Sequence, residues 1–208
     1  MNQAHVVFVL STDAPMPAVF DGAEGAGRVR PIRQDRLAPD VILAASGLIV
    51  TTSVDQIDLL RKGDAIEGFL DRGGRMVING HVLRPYVRDL RPFVPLEAPH
   101  RPDFALTRLA DHPVFEGIPA RALETNRGVA GFYGRGHNPP PEGAVALTGI
   151  GPDRLPVDWT WRRPAGGALF VHSGNDLWGV GDDPAIKRRI AERLVDWCLA
   201  ETRAEVEA

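Results

Sequence analysis

The sequence is short of cysteine, of long apolar runs and of excess charge, and each shortage excludes a class of protein. Cys198 is the only cysteine among 208 residues, so no disulfide can form within the chain. No apolar run approaches the roughly 20 residues of a membrane span, and the run Val6–Leu10 is too short for a signal peptide. The net charge of −3 does not favour nucleic acid or an anionic membrane as partner. We therefore expect a cytoplasmic protein that binds neither.

Common metal and dinucleotide motifs are also missing. No two histidines have the spacing HxH or HExxH, which would indicate a zinc site. The glycines of GAEGAG, residues 22–27, do not stand tightly between a strand and a helix in GxGxxG order, as a dinucleotide-binding turn requires. The sequence therefore predicts no cofactor and no motif-bound metal.

Strand and helix patterns alternate in the first half of the chain. The composition, 44% hydrophobic and 25% charged, is that of a globular protein, and the length fits one domain over residues 1–208 with frayed ends at 1–4 and 201–208. Continuous apolar runs predict buried strands, and stretches bounded by Pro and Gly predict helices. The strands are predicted at 5–11, 29–33, 47–53 and 75–79, and the helices at 38–47 and 54–71, with an interruption at Gly63. This order predicts an α/β fold with a doubly wound, mainly parallel sheet flanked by helices.

The second half of the chain adds strands and a final helix. Strands are predicted within 104–109, 144–150, 156–161 and 166–174, and the last helix is capped by Asp182-Asp183-Pro184. Residues 12–28 and 82–103 are predicted to be irregular, and residues 134–143 an exposed loop. Asp111 is the expected N-cap of a short turn, with Pro113 just inside it.

Two strand ends carry histidine. His81 follows the strand of GGRMVINGH, and His172 ends the strand of ALFVHSGNDLW. In open α/β sheets ligands bind beyond the carboxyl ends of strands, where a neutral imidazole can act as acid, base or metal ligand. Both histidines are therefore catalytic candidates, and their strand ends are expected to share one edge of the sheet. A histidine that only hydrogen-bonds within its turn remains the alternative at each position.

Polar and aromatic residues beside these histidines are the candidate binding groups. They are Asn79, Ser173, Asn175, Asp176 and Trp178. Hydroxyl, amide and carboxylate groups can orient a polar ligand, although the same residues also build ordinary turns. A tryptophan can stack on a sugar ring but more often fills a core.

The remaining reactive residue types are expected to be structural. His112 opens a turn, His137 lies among Gly and Pro where exposure is expected, and His5 precedes a strand. Cys198 lies on the apolar stripe of the last helix, where a small buried hydrophobe is expected.

Three segments, in order, resemble the ThuA-like proteins, a branch of the class I glutamine amidotransferase-like fold. GGRMVINGH resembles their GGG-x-V-G-x-H segment, HPVFEGIP their His-Pro-Ile-x-x-Gly-Leu-Pro segment, and PVDWTWRRPAGGALFVHSGNDLW their segment ending in Gly-His-Asp. The resemblance extends over roughly residues 40–200. It implies that fold and a link to sugar utilisation.

The resemblance also implies what the chain does not do. The wider amidotransferase fold carries its nucleophilic cysteine where this chain has His81, so a working glutaminase is not expected. ThuA-like proteins also have histidine there. This chain departs from that branch at Asn175, which replaces the histidine of Gly-His-Asp, and at residues 124–127, which replace an acidic segment.

Three functions remain open at this stage. The first is a ThuA-like protein that binds or acts on a sugar or related polar small molecule, with a hydrolase- or lyase-type reaction if it is an enzyme. The second is a non-catalytic module that acts in a complex or as a sensor and can form a homo-oligomer through residues 82–103 and 128–143. The third is metal-assisted hydrolysis with His81, His172 and Asp176 as ligands.

Overall fold

An eight-stranded sheet forms the centre of the molecule. The computed structural model describes residues 5–200, so the fraying expected at 1–4 and 201–208 lies outside the described part. Within it the strands are β1 (Val6–Leu10), β2 (Val29–Arg33), β3 (Gly47–Val50), β4 (Arg75–Asn79), β5 (Val94–Pro95), β6 (Leu106–Arg108), β7 (Thr125–Asn126), β8 (Val129–Ala130), β9 (Gly136–His137), β10 (Val145–Ile150), β11 (Leu155–Arg162) and β12 (Ala168–His172). The main sheet has the order β2-β1-β3-β4-β12-β11-β10-β6, and β5 pairs with β9 and β7 with β8 in two small ribbons.

Five neighbouring strands of the main sheet are parallel. β1 pairs with β2 and β3, β3 with β4, and β4 with β12. All four residues of β3 are buried, which is why its sequence is an unbroken apolar run rather than an alternating one. The predicted strands of the first half are confirmed, and so is the mainly parallel α/β fold.

The other strands extend the sheet in antiparallel fashion. β11 pairs with β12, β10 with β11, and β6 with β10, each antiparallel. These are the strands predicted in the second half of the chain. Their direction matters for the site because directly opposite residues of an antiparallel pair lie on the same face of the sheet.

Helices cover the sheet on its two faces. They are α1 (Asp21–Gly25), α2 (Pro39–Ala44), α3 (Gln56–Arg61), α4 (Gly63–Asp71) and α5 (Pro184–Leu199). The predicted interruption at Gly63 is confirmed, because α3 ends before it and α4 begins at it. Asp183 caps α5 by accepting a hydrogen bond from the Ala185 N–H, as predicted. No helix among residues 5–200 has the length and apolarity that crossing a membrane requires.

Two apolar layers hold the helices to the sheet. One contains Phe8, Phe170 and Leu194 and lies beneath α5. The other contains Met76 and Phe69 and lies beneath α2 and α4. Burying both faces of the parallel strands in this way leaves their carboxyl ends as the place where polar side chains can collect.

Three local predictions were wrong. Residues 12–28 are not all loop, since a 3-10 helix at Ala18–Phe20 and α1 bury the apolar Phe20. The N-cap near residue 111 is His112, whose imidazole accepts a hydrogen bond from the Val114 N–H. Residues 134–143 are not an exposed loop, because Asn138 is fully buried and hydrogen-bonded to interior groups.

Candidate functional site

A row of polar residues crosses the sheet at the carboxyl ends of β4 and β12. Arg108 lies opposite Thr148, Thr148 opposite Asp158, and Asp158 opposite His172, which lies beside Asn79. The strand end at His172 and the strand end before His81 therefore share one edge of the sheet, as the sequence predicted.

His172 and Asp158 form a buried hydrogen-bonded pair. The His172 Nδ1 lies 2.6 Å from the Asp158 Oδ1, and both side chains are completely buried. The Tyr133 hydroxyl donates a hydrogen bond to the other carboxylate oxygen. Burial, reinforced by the Asp158 carboxylate, raises the pKa of Tyr133, so this hydroxyl keeps its proton. Asp158 can be buried here because both of its carboxylate oxygens have a hydrogen-bond partner.

The second ring nitrogen of His172 has no such match. Its Nε2 is buried and has no hydrogen-bond partner among the residues the structure describes. Gly174 passes close to it: a Cβ at this position would lie 2.8 Å from the Nε2 and 1.6 Å from the Tyr133 carbonyl oxygen. Only a glycine lets the turn after β12 approach the imidazole this closely.

Asp176 is fixed at the same edge by Thr52, which follows β3. The Asp176 Oδ1 accepts from the Thr52 N–H at 2.7 Å and from the Thr52 hydroxyl at 2.9 Å. Burial raises the pKa of Asp176, while the two bonds from Thr52 and the charge of His172 oppose that rise. A carboxylate is thus held near His172 without contacting it directly.

Asn79 connects three segments of the edge. Its Nδ2 donates to the Val50 carbonyl at 3.0 Å, and its Oδ1 accepts from the Leu177 N–H at 3.1 Å. Both bonds are buried. The side chain therefore ties β3, β4 and the turn after β12 together, and its own polar atoms are used in that role.

His81 is the exposed histidine of the edge. Gly80 turns the chain there with φ +95°, a conformation that favours glycine. The His81 ring stacks on Phe93 with centroids 3.7 Å apart, and its carbonyl accepts from the Gln56 amide at 2.7 Å. Partial burial, then the charge of His172, lowers the pKa of His81. Its imidazole is therefore neutral near pH 7 and can take up or donate a proton.

The other predicted binding residues have different environments. Ser173 is buried and its hydroxyl accepts from the Asn138 N–H at 2.9 Å. Asn175 is exposed and donates to the Phe132 carbonyl at 3.1 Å. Trp178 is only 3% exposed. Its ring packs against Phe8 and Phe20 at 5.3 and 5.1 Å, so it fills core and is not an open stacking surface.

Four residues of this edge were missed by the sequence reasoning: Tyr133, Asp158, Thr52 and Asn138. Only Asp158 gave a usable signal, as the one carboxylate within the apolar strand PVDWTW. A charged residue is almost never fully buried unless it is paired, so its presence there indicated a partner. The other three are polar residues of loops and strand ends, where polarity is ordinary.

The single cysteine lies far from this edge. Cys198 is buried in α5 and its Cβ and Sγ pack against Gly47, the first residue of β3. That is the amino end of the parallel strands, opposite to His81 and His172. Burial raises the pKa of the thiol, which disfavours the reactive thiolate.

The residues that the structure describes contain no preformed cluster of metal ligands. Within residues 5–200, no group of three or more His, Cys, Asp or Glu side chains is arranged to hold a metal ion. The three ligands of the metal hypothesis are already engaged or separated: His172 through Asp158, Asp176 through Thr52, and His81 on Phe93.

Comparison with known proteins identifies the fold. No protein family and no curated protein matches the sequence. Among solved structures, the chain is similar to a candidate GMP synthase subunit from Thermoplasma acidophilum, with 8% identity, a TM-score of 0.59, and coverage of 95% of this chain and 96% of that one. A catalytic mutant of a GH42 β-galactosidase from G. stearothermophilus aligns with 13% identity and a TM-score of 0.42, over 94% of this chain but 30% of that one. The first similarity, with the strand order above, shows an amidotransferase-like α/β fold.

Proposed function

We propose that this protein binds a sugar or a related polar small molecule at the carboxyl edge of its parallel strands, as a member of the ThuA-like branch of the amidotransferase-like fold. The observation that carries the proposal is the buried His172–Asp158 pair, whose imidazole retains one unpaired nitrogen at the sheet edge that also carries His81 and Asp176. The three ThuA-like segments support the branch, and two of them supply His81 and His172.

The pair has the arrangement of an acid/base group. A carboxylate fixed on Nδ1 orients the imidazole, which leaves Nε2 as the nitrogen available for proton transfer. Tyr133 in turn holds Asp158 in place. The Gly174 backbone lies close to Nε2, so the proposal requires a shift of the turn of residues 173–176 before a ligand can contact this nitrogen.

The groups around the pair suit a hydroxyl-rich ligand. The exposed His81 imidazole can donate or accept, Asn175 offers an exposed amide, and Asp176 accepts hydrogen bonds. A site built to hydrogen-bond hydroxyl groups discriminates strongly against analogues that lack them, because its own polar groups are then left unpaired.

Glutaminase chemistry does not fit these residues. That reaction needs a nucleophile at the strand end, and His81 occupies that place while the one cysteine is buried at the opposite end of β3. With no thiolate at the edge, no covalent thioester can form there.

A thermal-shift panel of neutral sugars, keto-sugars and glutamine tests the proposal. A ligand at about 100 times its dissociation constant adds about 2.7 kcal/mol, which for this chain length corresponds to roughly 5–10 °C. We expect a sugar to raise the melting temperature of the wild type and of the exposed-histidine control His100→Ala, but not of His81→Ala. Equal shifts in all three proteins would remove His81 from the site.

A non-catalytic module is the second candidate. It is favoured by the complete burial of His172, which in this conformation no ligand can touch. This function predicts that no panel compound shifts the melting temperature and that the protein sediments as an oligomer or with a partner. A monomer that responds to a sugar would rule it out.

A further inference from the structure

A cavity lies on the same face of the sheet as His172, toward the β6 edge. Its volume is about 760 Å³, and its walls include Arg108, His112, Phe115, Ile118 and Pro119. Cavities of roughly 300–1,000 Å³ are typical of small-molecule sites. The His112 and Phe115 rings pack 5.5 and 6.0 Å from Phe170, two residues before His172, but the cavity is separate from the edge that carries His81.

Arg108 brings a positive charge to the wall of this cavity. Its Nη1 donates to the Thr148 hydroxyl, and its Cζ lies 3.8 Å from the centroid of the Phe115 ring. Its Nη2 is buried without a hydrogen-bond partner, and no carboxylate of residues 5–200 forms an ion pair with it. A buried donor without an acceptor is costly. Because Nη2 is covered even with the cavity empty, a carboxylate in the cavity would pair with it once the guanidinium turns toward the cavity, and that pairing would relieve the cost.

His112 adds a hydrogen-bond donor to the lining of the cavity. Its Nδ1 accepts from the Val114 N–H at 3.3 Å, and burial lowers the pKa of His112 to about 4. The ring is therefore neutral near pH 7 and carries its proton on Nε2, which is a donor. Of the two acidic residues in the lining, Glu116 lies 3.8 Å from Arg193, and Asp111 is exposed to solvent, where its charge is screened.

We propose that this cavity binds a small carboxylate with an aromatic or branched apolar body. The carboxylate pairs with the Arg108 guanidinium, whose planar fork matches it. The apolar body packs against Phe115, Ile118 and Pro119. This site goes beyond the edge site of the proposed function and does not depend on it, because the two share no ligand-contacting residue.

Methyl NMR of isoleucine-labelled protein tests this site with benzoate and with its neutral analogue benzamide. Benzoate should shift the Ile118 methyl signal in a saturable way and leave Ile32 and Ile42, in the opposite apolar layer, unchanged. Benzamide should bind about tenfold more weakly or worse, since a hydrogen bond to a charged group is lost.

Two variants test whether the charge of Arg108 is the one that binds benzoate. Arg108→Met should weaken benzoate binding about tenfold or more. Arg30→Met should leave it unchanged, because Arg30 is an exposed residue of β2 at the far edge of the sheet. Absence of a benzoate-dependent Ile118 shift in the wild type would overturn the proposal, whether or not the variants fold. So would equal affinity for benzoate and benzamide, or full benzoate affinity in a folded Arg108→Met.

Discussion

At the scale of single residues, the buried pair at the end of β12 is the most consequential feature. His172 and Asp158 are each fully buried, and each relies on the other, with Tyr133 as third member. A buried charge that loses its partner is strongly destabilising, whereas an exposed ion pair contributes little. The contacts around this pair therefore hold the fold as well as the site.

Removing the carboxylate should cost much of the stability of the protein. We expect Asp158→Ala to lower the free energy of unfolding by about 3–5 kcal/mol, because His172 and Tyr133 lose their common acceptor. Asp158→Asn should cost less, since its carbonyl still accepts one bond. Urea denaturation followed by tryptophan fluorescence measures both, with the exposed Asp153→Ala as control. A cost for Asp158→Ala no larger than for the control would show that the pair does not form.

Gly174 should tolerate no side chain. A Cβ there would lie 1.6 Å from the Tyr133 carbonyl oxygen, so Gly174→Ala must displace the turn after β12 and should cost more than about 3 kcal/mol.

The matched control is Gly179→Ala, five residues later. Its added Cβ meets nothing within 4 Å, and we expect a change within roughly 0.5 kcal/mol. Thermal melts of the two variants compare them directly. Similar melting temperatures would mean that the turn does not lie over His172 as described.

At the scale of elements, the segment 134–143 is an internal part of the site. Asn138 donates from Nδ2 to the Gly80 carbonyl and accepts at Oδ1 from the Val82 N–H, both at 3.1 Å. Its own carbonyl accepts from the Trp159 indole at 2.8 Å. Asn138 therefore links the segment 134–143 by hydrogen bonds both to the turn that contains His81 and to β11.

Truncating Asn138 should loosen that turn. In Asn138→Ala two buried backbone groups lose their partners, which at about 1–3 kcal/mol each predicts a loss of about 2–6 kcal/mol and faster hydrogen exchange at the Val82 amide. Glu142→Ala, exposed in the same segment, is the control. Unchanged exchange at Val82 in Asn138→Ala would contradict this role.

At the scale of the whole molecule, α5 closes one face of the sheet and buries the only thiol. Cys198 is 2% exposed and packs on β3, so a thiol reagent reaches it only when α5 opens. If detaching α5 costs a free energy of about 4 kcal/mol, only about one molecule in a thousand exposes the thiol at any time. We therefore expect the native thiol to react roughly a thousandfold more slowly than the unfolded one. Fast labelling of folded protein with Ellman's reagent would show that α5 detaches independently.

The sequence predicted most of the parallel half of the fold because the strands β1, β3, β4 and β12 are buried on both faces and therefore contain unbroken apolar runs. Burial alternates in β2, whose pattern VRPIR is weaker. It also predicted that the strand ends near His81 and His172 share an edge, since this follows from parallel topology. The pairing of Asp158 with His172 could not be predicted, because it depends on the register of β11 against β12. Asn138 was missed for a related reason: its partners are distant in sequence, and a Pro-rich polar segment usually indicates exposure.

The central claim is that a polar ligand binds at the His81–His172 edge, and nitrogen NMR of the imidazoles tests it most directly. In protein labelled with ¹⁵N-histidine, the six side chains report separately. A sugar that raises the melting temperature should shift the ring nitrogens of His81 and His172 and leave those of His100 and His112 in place. Ligand-induced shifts confined to other histidines, or none in any, would contradict the claim.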